Sequence, residues 1–154
     1  MDVIVVGSIG GLLHGSPLLT DDVDVVPALK ASSLDALAIA LNELNAQIMA
    51  AEAPGGVIAV DWRGRDIGKW VVDFHFLNLM TDFGQLDLIH RPAGTSGYQD
   101  LAKAAELVEL GDVEIKVAAL EDIIRSKETV GRDRDREQLP TLRLLLEAKR
   151  KRGP

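Results

Sequence analysis

An α/β or α+β domain, a mixed β-sheet flanked by helices, is the fold class this sequence predicts. Three observations carry the prediction. Short β-branched runs alternate with a segment of three- and four-residue apolar spacing. A Gly111-Asp112 pair separates Glu106–Leu110 from Val113–Val117, the mark of an antiparallel hairpin. Two helical segments, near 119–130 and 133–150, finish the chain. With 154 residues and 47% hydrophobic composition, a single domain over 1–154 is expected, residues 118–154 forming a C-terminal helical part.

The elements follow in order. Val3 to Val6 is a continuous β-branched run ending at Gly7, as a buried strand requires. Gly10-Gly11-Leu12-Leu13-His14-Gly15 leaves room for one or two helical turns. Asp22 to Val26 reads as a second strand stopped by Pro27. Ser32 or Ser33 is placed to cap a helix whose Leu34, Leu37, Leu41 and Leu44 form one stripe. Pro54-Gly55-Gly56 breaks the chain before a strand from Val57 to Trp62. Trp70 to Leu79 alternates as a strand, with Trp70, Val72, Phe74 and Phe76 on one face and Val71, Asp73, His75 and Leu77 on the other. After the Asp82-Phe83-Gly84 turn, Gln85 to Ile89 forms another strand, and Tyr98 to Ala105 a helix. Pro140 starts a new segment within the last helix or kinks it.

Composition narrows the function. The absence of Cys excludes a disulfide framework, a thiol nucleophile and Cys-ligated zinc. No apolar run approaches the ~20 residues of a membrane helix, and the opening residues lack the basic n-region of a signal peptide. A soluble, cytoplasmic protein without membrane association is the expectation. The net charge of −7 is uneven: residues 1–124 carry seven Lys/Arg against nineteen Asp/Glu, and Arg125 to Pro154 ten against five. The acidic part repels nucleic acid at long range, whereas the basic end either holds phosphates or is a solvated helix fraying at Lys149-Arg150-Lys151-Arg152.

Asp22-Val23-Asp24 carries the chemistry. Residues two apart on a strand share a face, so both carboxylates project together and can hold one or two Mg²⁺ bridging phosphate oxygens. Alone the pattern is uninformative: fifteen Asp in this chain give about 1.5 chance Asp-x-Asp matches, and Asp133/Asp135 is a second one. Context raises it. Gly7-Ser8 stands fourteen residues earlier at a strand end, where backbone N–H groups and the Ser8 hydroxyl form a phosphate cradle. A third carboxylate is expected from a neighbouring strand. Asp87, in an otherwise apolar run, is preferred, and Asp73, sharing a face with His75, is the rival.

Val5-Val6-Gly7-Ser8, Leu13-His14-Gly15 and Thr20-Asp21-Asp22-Val23-Asp24-Val25-Val26 together resemble the signature of the minimal nucleotidyltransferase superfamily. Thr81-Asp82-Phe83-Gly84-Gln85-Leu86-Asp87, Leu120-Glu121-Asp122-Ile123-Ile124-Arg125-Ser126-Lys127 and Gly131-Arg132-Asp133-Arg134-Asp135 are similar to its AbiEii-type toxin branch. The resemblance implies a nucleotidyltransferase-like mixed sheet and transfer of a nucleoside monophosphate from an NTP to an acceptor hydroxyl, with pyrophosphate released. It implies that Gly7 and Ser8 hold the triphosphate, that Asp22 and Asp24 bind Mg²⁺ or Mn²⁺, and that Asp87 is the third carboxylate and activates the acceptor. Leu18 stands where members often carry an Arg. Members usually begin with a helix ahead of the first strand; here either the start is displaced, or the surface that helix would cover is covered by a partner or left partly exposed.

Lys127 has support of its own, because Leu120, Ile123, Ile124 and Lys127 fall on one helical stripe. Its ammonium reaches a phosphate in a cleft or snorkels into water. Ser126 and Arg132 are further nucleotide-binding candidates. Asp135 orients Lys127 or Arg132, or is simply a helix N-terminal charge. His14, His75 and His90 lack a zinc-binding spacing, and His14 packs near the cradle or caps the short helix. Trp62 and Trp70 read as core rather than a base-stacking platform, and Arg63 and Arg65 as part of a solvated turn. The expected function is a toxin that modifies RNA such as a tRNA 3′ end, with a cognate antitoxin as partner. The alternatives are a protein or aminoglycoside-like acceptor, or a non-catalytic nucleotide- or partner-binding module.

Overall fold

The computed structural model describes residues 1–152; Gly153 and Pro154 lie outside the described residues. Eight strands form one mixed sheet: β1 (Val3–Val6), β2 (Asp22–Pro27), β3 (Gln47–Met49), β4 (Val57–Ala59), β5 (Phe76–Thr81), β6 (Gly84–Ile89), β7 (Glu106–Leu110) and β8 (Val113–Val117). Their order across the sheet is β4-β3-β5-β6-β2-β1-β8-β7. The pairs β2/β6 and β1/β8 are parallel and the others antiparallel. Among the described residues there are six α-helices: α1 (Gly7–Leu13), α2 (Ala31–Glu43), α3 (Ile67–Phe74), α4 (Tyr98–Leu101), α5 (Leu120–Val130) and α6 (Asp133–Arg152).

Strand alternation divides the core in two. On β2, Val25 points into a cluster with Leu37, Leu41, Trp62, Val71 and Leu79. Its neighbour Val26 joins Ile4, Leu120, Ile123 and Leu142 on the opposite face. By the same two-residue period Asp22 and Asp24 lie on the Val26 face, under α5 and α6. The parallel register sets Asp24 opposite Asp87 and Asp22 opposite Gln85. The topology therefore puts three carboxylates where the last two helices reach over the sheet.

Several local expectations are corrected. Residues 67–74 are a helix, not the first half of a strand. Asp66 caps it, its carboxylate accepting from Lys69 N at 2.9 Å, and Ile67 and Val71 bury one turn apart. The alternation from Trp70 was a coincidence of short length. The chain turns at His75, with φ +63°, before β5 begins. Asp73 is thus an exposed helical residue paired with Lys69, and its rivalry with Asp87 ends there. Neither Ser32 nor Ser33 caps α2. Ser33 is buried inside the first turn, its Oγ accepting from Asp2 N at 2.8 Å. The strand expected over 57–62 closes at Ala59, the helix expected over 98–105 at Leu101, and β3 is an additional strand. The last helix does not fray at Lys149 but runs to Arg152, with Pro140 inside it.

Candidate active site

Gly7 ends β1 and begins α1 in one residue, with φ +65°. A Cβ on Gly7 would sit 2.9 Å from Asp24 Cγ and nearer still to Oδ2, so the carboxylate of Asp24 lies directly against the glycine. Further along α1, a Cβ on Gly10 would meet Ile123 Cδ1 at 2.9 Å. The helix thus packs closely on α5, which brings Ser8 next to Lys127.

Asp22, Asp24 and Asp87 each offer a carboxylate oxygen within 4.8 Å of the others. Thr20 Oγ1 donates to Asp22, and Gln85 Nε2 donates to both oxygens of Asp87 at 3.2 and 3.3 Å. Burial pushes the Asp24 carboxyl up to about 6, and the charges of Asp22 and Asp87 push the same way, against the weaker pull of Lys127 and Arg132. Three hard oxygen donors that repel one another when bare are a donor set suited to Mg²⁺ or Mn²⁺.

The same cavity holds a fixed cation. Lys127, only 8% exposed, donates to Ser8 Oγ at 3.2 Å and to Asp135 Oδ1 at 3.4 Å. It does not snorkel. Ser8 in turn donates to Gln138 Oε1 at 3.2 Å, so its hydroxyl is oriented from both sides. Asp135 does what the sequence left open in both senses: it holds Lys127 and accepts from Arg132 Nε at 3.0 Å. Burial raises its carboxyl, but the bond from Arg132 and the charge of Lys127 outweigh that and hold it below the usual range.

Gly7, Ser8, Asp22, Asp24, Asp87, Ser126, Lys127 and Arg132 all line one open cavity of about 560 Å³. Ser126 lines it without a side-chain hydrogen bond among the described residues, and the side chain of Arg132 is 76% exposed. Sequence reasoning missed Gln138, Gln85, Arg91, Arg134 and Phe76. Gln85 was findable, since it stands two before Asp87 on the same strand face. Gln138 gave no signal, because only the packing of α6 turns it toward Ser8.

The remaining candidates are settled by their contacts. His14 is the C-terminal cap of α1, its Nε2 2.8 Å from Ala118 O, which leaves Nδ1 to accept from Lys149 at 3.3 Å. Trp62 is fully buried, donates to Ala46 O at 2.8 Å and meets Trp70 edge-to-face at 5.9 Å, which is core packing. Arg63 and Arg65 both fold back onto Asp61. Much of the basic end is already engaged: Arg143 pairs with Glu128, Lys149 with Glu106 and Arg150 with Glu121.

Gly7→Ala is expected to displace Asp24 by steric collision and to add strain at positive φ. Manganese affinity, read by titration calorimetry, should fall at least tenfold while Gly64→Ala, in open space at a turn, leaves it unchanged.

No family model matches the sequence, and no curated protein matches it. Among solved structures the chain is similar to the lincosamide antibiotic adenylyltransferase LnuA in its lincomycin-bound form. The TM-score is 0.57 at 12% identity, over 94% of this chain and 87% of that one. The likeness establishes a shared fold: a mixed α/β sheet flanked by helices, as in that nucleotidyltransferase.

Proposed function

We propose that the protein is a metal-dependent nucleotidyltransferase that moves a nucleoside monophosphate from an NTP to an acceptor hydroxyl. The observation that carries this reading is the presence in one cavity of a three-carboxylate cluster and a buried, doubly held lysine. Such a combination suits a triphosphate, whose several oxygens need more than one cationic contact. The shared fold with an adenylyltransferase agrees with it.

Asp22, Asp24 and Asp87 would hold Mg²⁺ or Mn²⁺, which when bound supplies charge neutralisation of phosphate oxygens. Lys127 presents a second positive charge in the same cavity, fixed before substrate arrives by Ser8 and Asp135. Ser8 orients the Lys127 ammonium, and Gly7 lets the Asp24 carboxylate pack against the backbone. In the transfer, the acceptor oxygen bonds to the α-phosphorus as the bond to the bridging oxygen of pyrophosphate breaks. Asp87, oriented by Gln85, takes the hydroxyl proton, and pyrophosphate leaves with the bonding pair.

For the acceptor we propose an RNA 3′ end, tRNA being the example implied by the resemblance to AbiEii-type toxins, with an antitoxin as the matching partner. A small-molecule acceptor is the second reading. Its specific support is the fold shared with LnuA, an adenylyltransferase of lincosamide antibiotics. Incubation with Mg²⁺, each α-³²P-labelled NTP in turn, total RNA and cell lysate separates these. Label in an RNA band that is lost with Asp24→Asn is the expected result. Label on protein moves the acceptor. Incorporation into no acceptor, with Mg²⁺-NTP still bound, replaces the enzyme reading by the binding module.

A further inference from the structure

A second cavity, of about 600 Å³, opens where β2 and β6 end. Lys30, Arg91 and Lys116 line it, together with Asp2, His90 and Tyr98. The convergence is unusual for this chain. Residues 1–124 hold only seven Lys/Arg against nineteen Asp/Glu, and three of those seven meet here around a single carboxylate. Asp2 is shared between Lys30 and Lys116, the latter at 3.5 Å. Lys116 is also 3.5 Å from Tyr98 Oη. Arg91 makes no ion pair within 4.0 Å among the described residues. By contrast Arg63 and Lys69 are paired elsewhere with Asp61 and Asp73.

The two cavities are neighbours, because Arg91 lines both. The route between them follows the strands: β2 and β6 run parallel from the Asp24–Asp87 pair toward Pro27 and Ile89, and Lys30 and Arg91 lie just beyond. Three residues of strand from Asp24 to Pro27 cover about 10 Å. A ligand with its reacting hydroxyl at the carboxylates and a negative charge about that far back would meet Lys30, Arg91 and Lys116 in turn. A phosphodiester chain has that form, and an acidic protein surface needs a local cationic contact to hold one. A cationic antibiotic would be repelled by the same three side chains.

We propose that this second cavity binds the backbone phosphates of a single-stranded RNA acceptor just upstream of its reacting end. The proposal rests on the nucleotidyl-transfer reading of the first cavity and gives its RNA acceptor a binding site. Its placement also differs from the basic C-terminal helix, whose cations largely face carboxylates of the same chain.

The test is equilibrium binding of a short fluorescein-labelled single-stranded RNA, followed by anisotropy across a salt series without NTP. The double variant Lys30→Ala/Lys116→Ala should lose roughly tenfold in RNA affinity at low salt. Its slope of log affinity against log salt should fall by about 1.4, or about 0.7 for each lost phosphate contact. Lys103→Ala, which removes the same kind of charge elsewhere, should leave both unchanged. Both lysines of the double variant are exposed, at 61% and 43% of their side chains, so the variant is expected to fold. ATP binding, measured alongside, should be unaltered. RNA affinity that is unchanged in the double variant, or that falls equally with Lys103→Ala, overturns the proposal. So does a parallel loss of ATP affinity, which would make the cavity a nucleotide site, and so does failure of the wild-type protein to bind the RNA. The assay needs no turnover, so failure of the transfer reading registers separately, as absent labelling beside intact RNA binding.

Discussion

Asp24→Asn is expected to make the metal-free protein more stable at neutral pH while abolishing metal-dependent transfer. Asp24 carries its charge at a cost, since burial and the neighbouring Asp22 and Asp87 push its carboxyl from 3.8 up to about 6. A carboxyl raised in the native state binds its proton more tightly there than in the unfolded chain. Stability therefore falls as pH rises from about 4 to about 6, and the deficit persists above that range. A shift of this size corresponds to about 2–3 kcal/mol at pH 7. For a chain of this length each kcal/mol moves the melting midpoint by about 2–4 °C. The variant should thus melt several degrees higher at pH 7 without metal, and the two proteins should converge near pH 4. Adding Mn²⁺ should raise the wild-type midpoint and not that of the variant, because binding to the native state alone stabilises it. Metal affinity in the wild type should weaken as pH falls through about 6, where Asp24 takes up its proton. A variant that melts lower than wild type at pH 7, or still responds to Mn²⁺ like it, would show that Asp24 is a structural rather than a metal-binding carboxylate.

The second large effect belongs to Lys127. Met in its place keeps the apolar stem along the Leu120, Ile123 and Ile124 stripe but removes the charge. Asp135, buried at 4% exposure, is then left with only the exposed guanidinium of Arg132. Breaking a buried pair from one side costs about 3–5 kcal/mol, and the remaining bond from Arg132 places this case near the lower figure. Lys127→Met/Asp135→Asn removes both charges and should recover most of that stability in urea unfolding. Nucleotide affinity should not recover with it, since the cavity's buried cation is still missing. The transfer rate is expected to drop about 10²–10³-fold in both variants. Recovery of nucleotide binding in the double variant would reduce Lys127 to a support for Asp135.

Elements with a strong local signal were legible in the sequence. The β-branched run before Gly7, the Gly111-Asp112 hairpin and the α5 stripe each express a preference within a few residues. So did the site's skeleton, since Asp22 and Asp24 must share a strand face, and an aspartate inside the apolar Leu86–Ile89 run needs a reason to be there. The Trp70–Leu79 segment was misread for a physical cause. Eight residues of helix contain barely two turns, too few for a 3.6 period to stand apart from a period of 2. The capping Asp66 was the better clue, and it sits outside the alternating stretch.

What the sequence by itself determined is the chemistry on offer: which strands carry carboxylates, which helix carries a lysine on its apolar stripe, and that the chain has no thiol. Tertiary structure alone decided which of these meet. The parallel pairing of β2 with β6 chose Asp87 over Asp73, and the approach of Gly10 to Ile123 set Ser8 against Lys127. The gathering of Lys30, Arg91 and Lys116 from three distant segments was equally invisible beforehand. The reason is one of range. Strand and helix periodicities are local and act between residues a few positions apart, whereas register and packing join residues 60 to 130 positions apart through burial, which leaves no spacing to read.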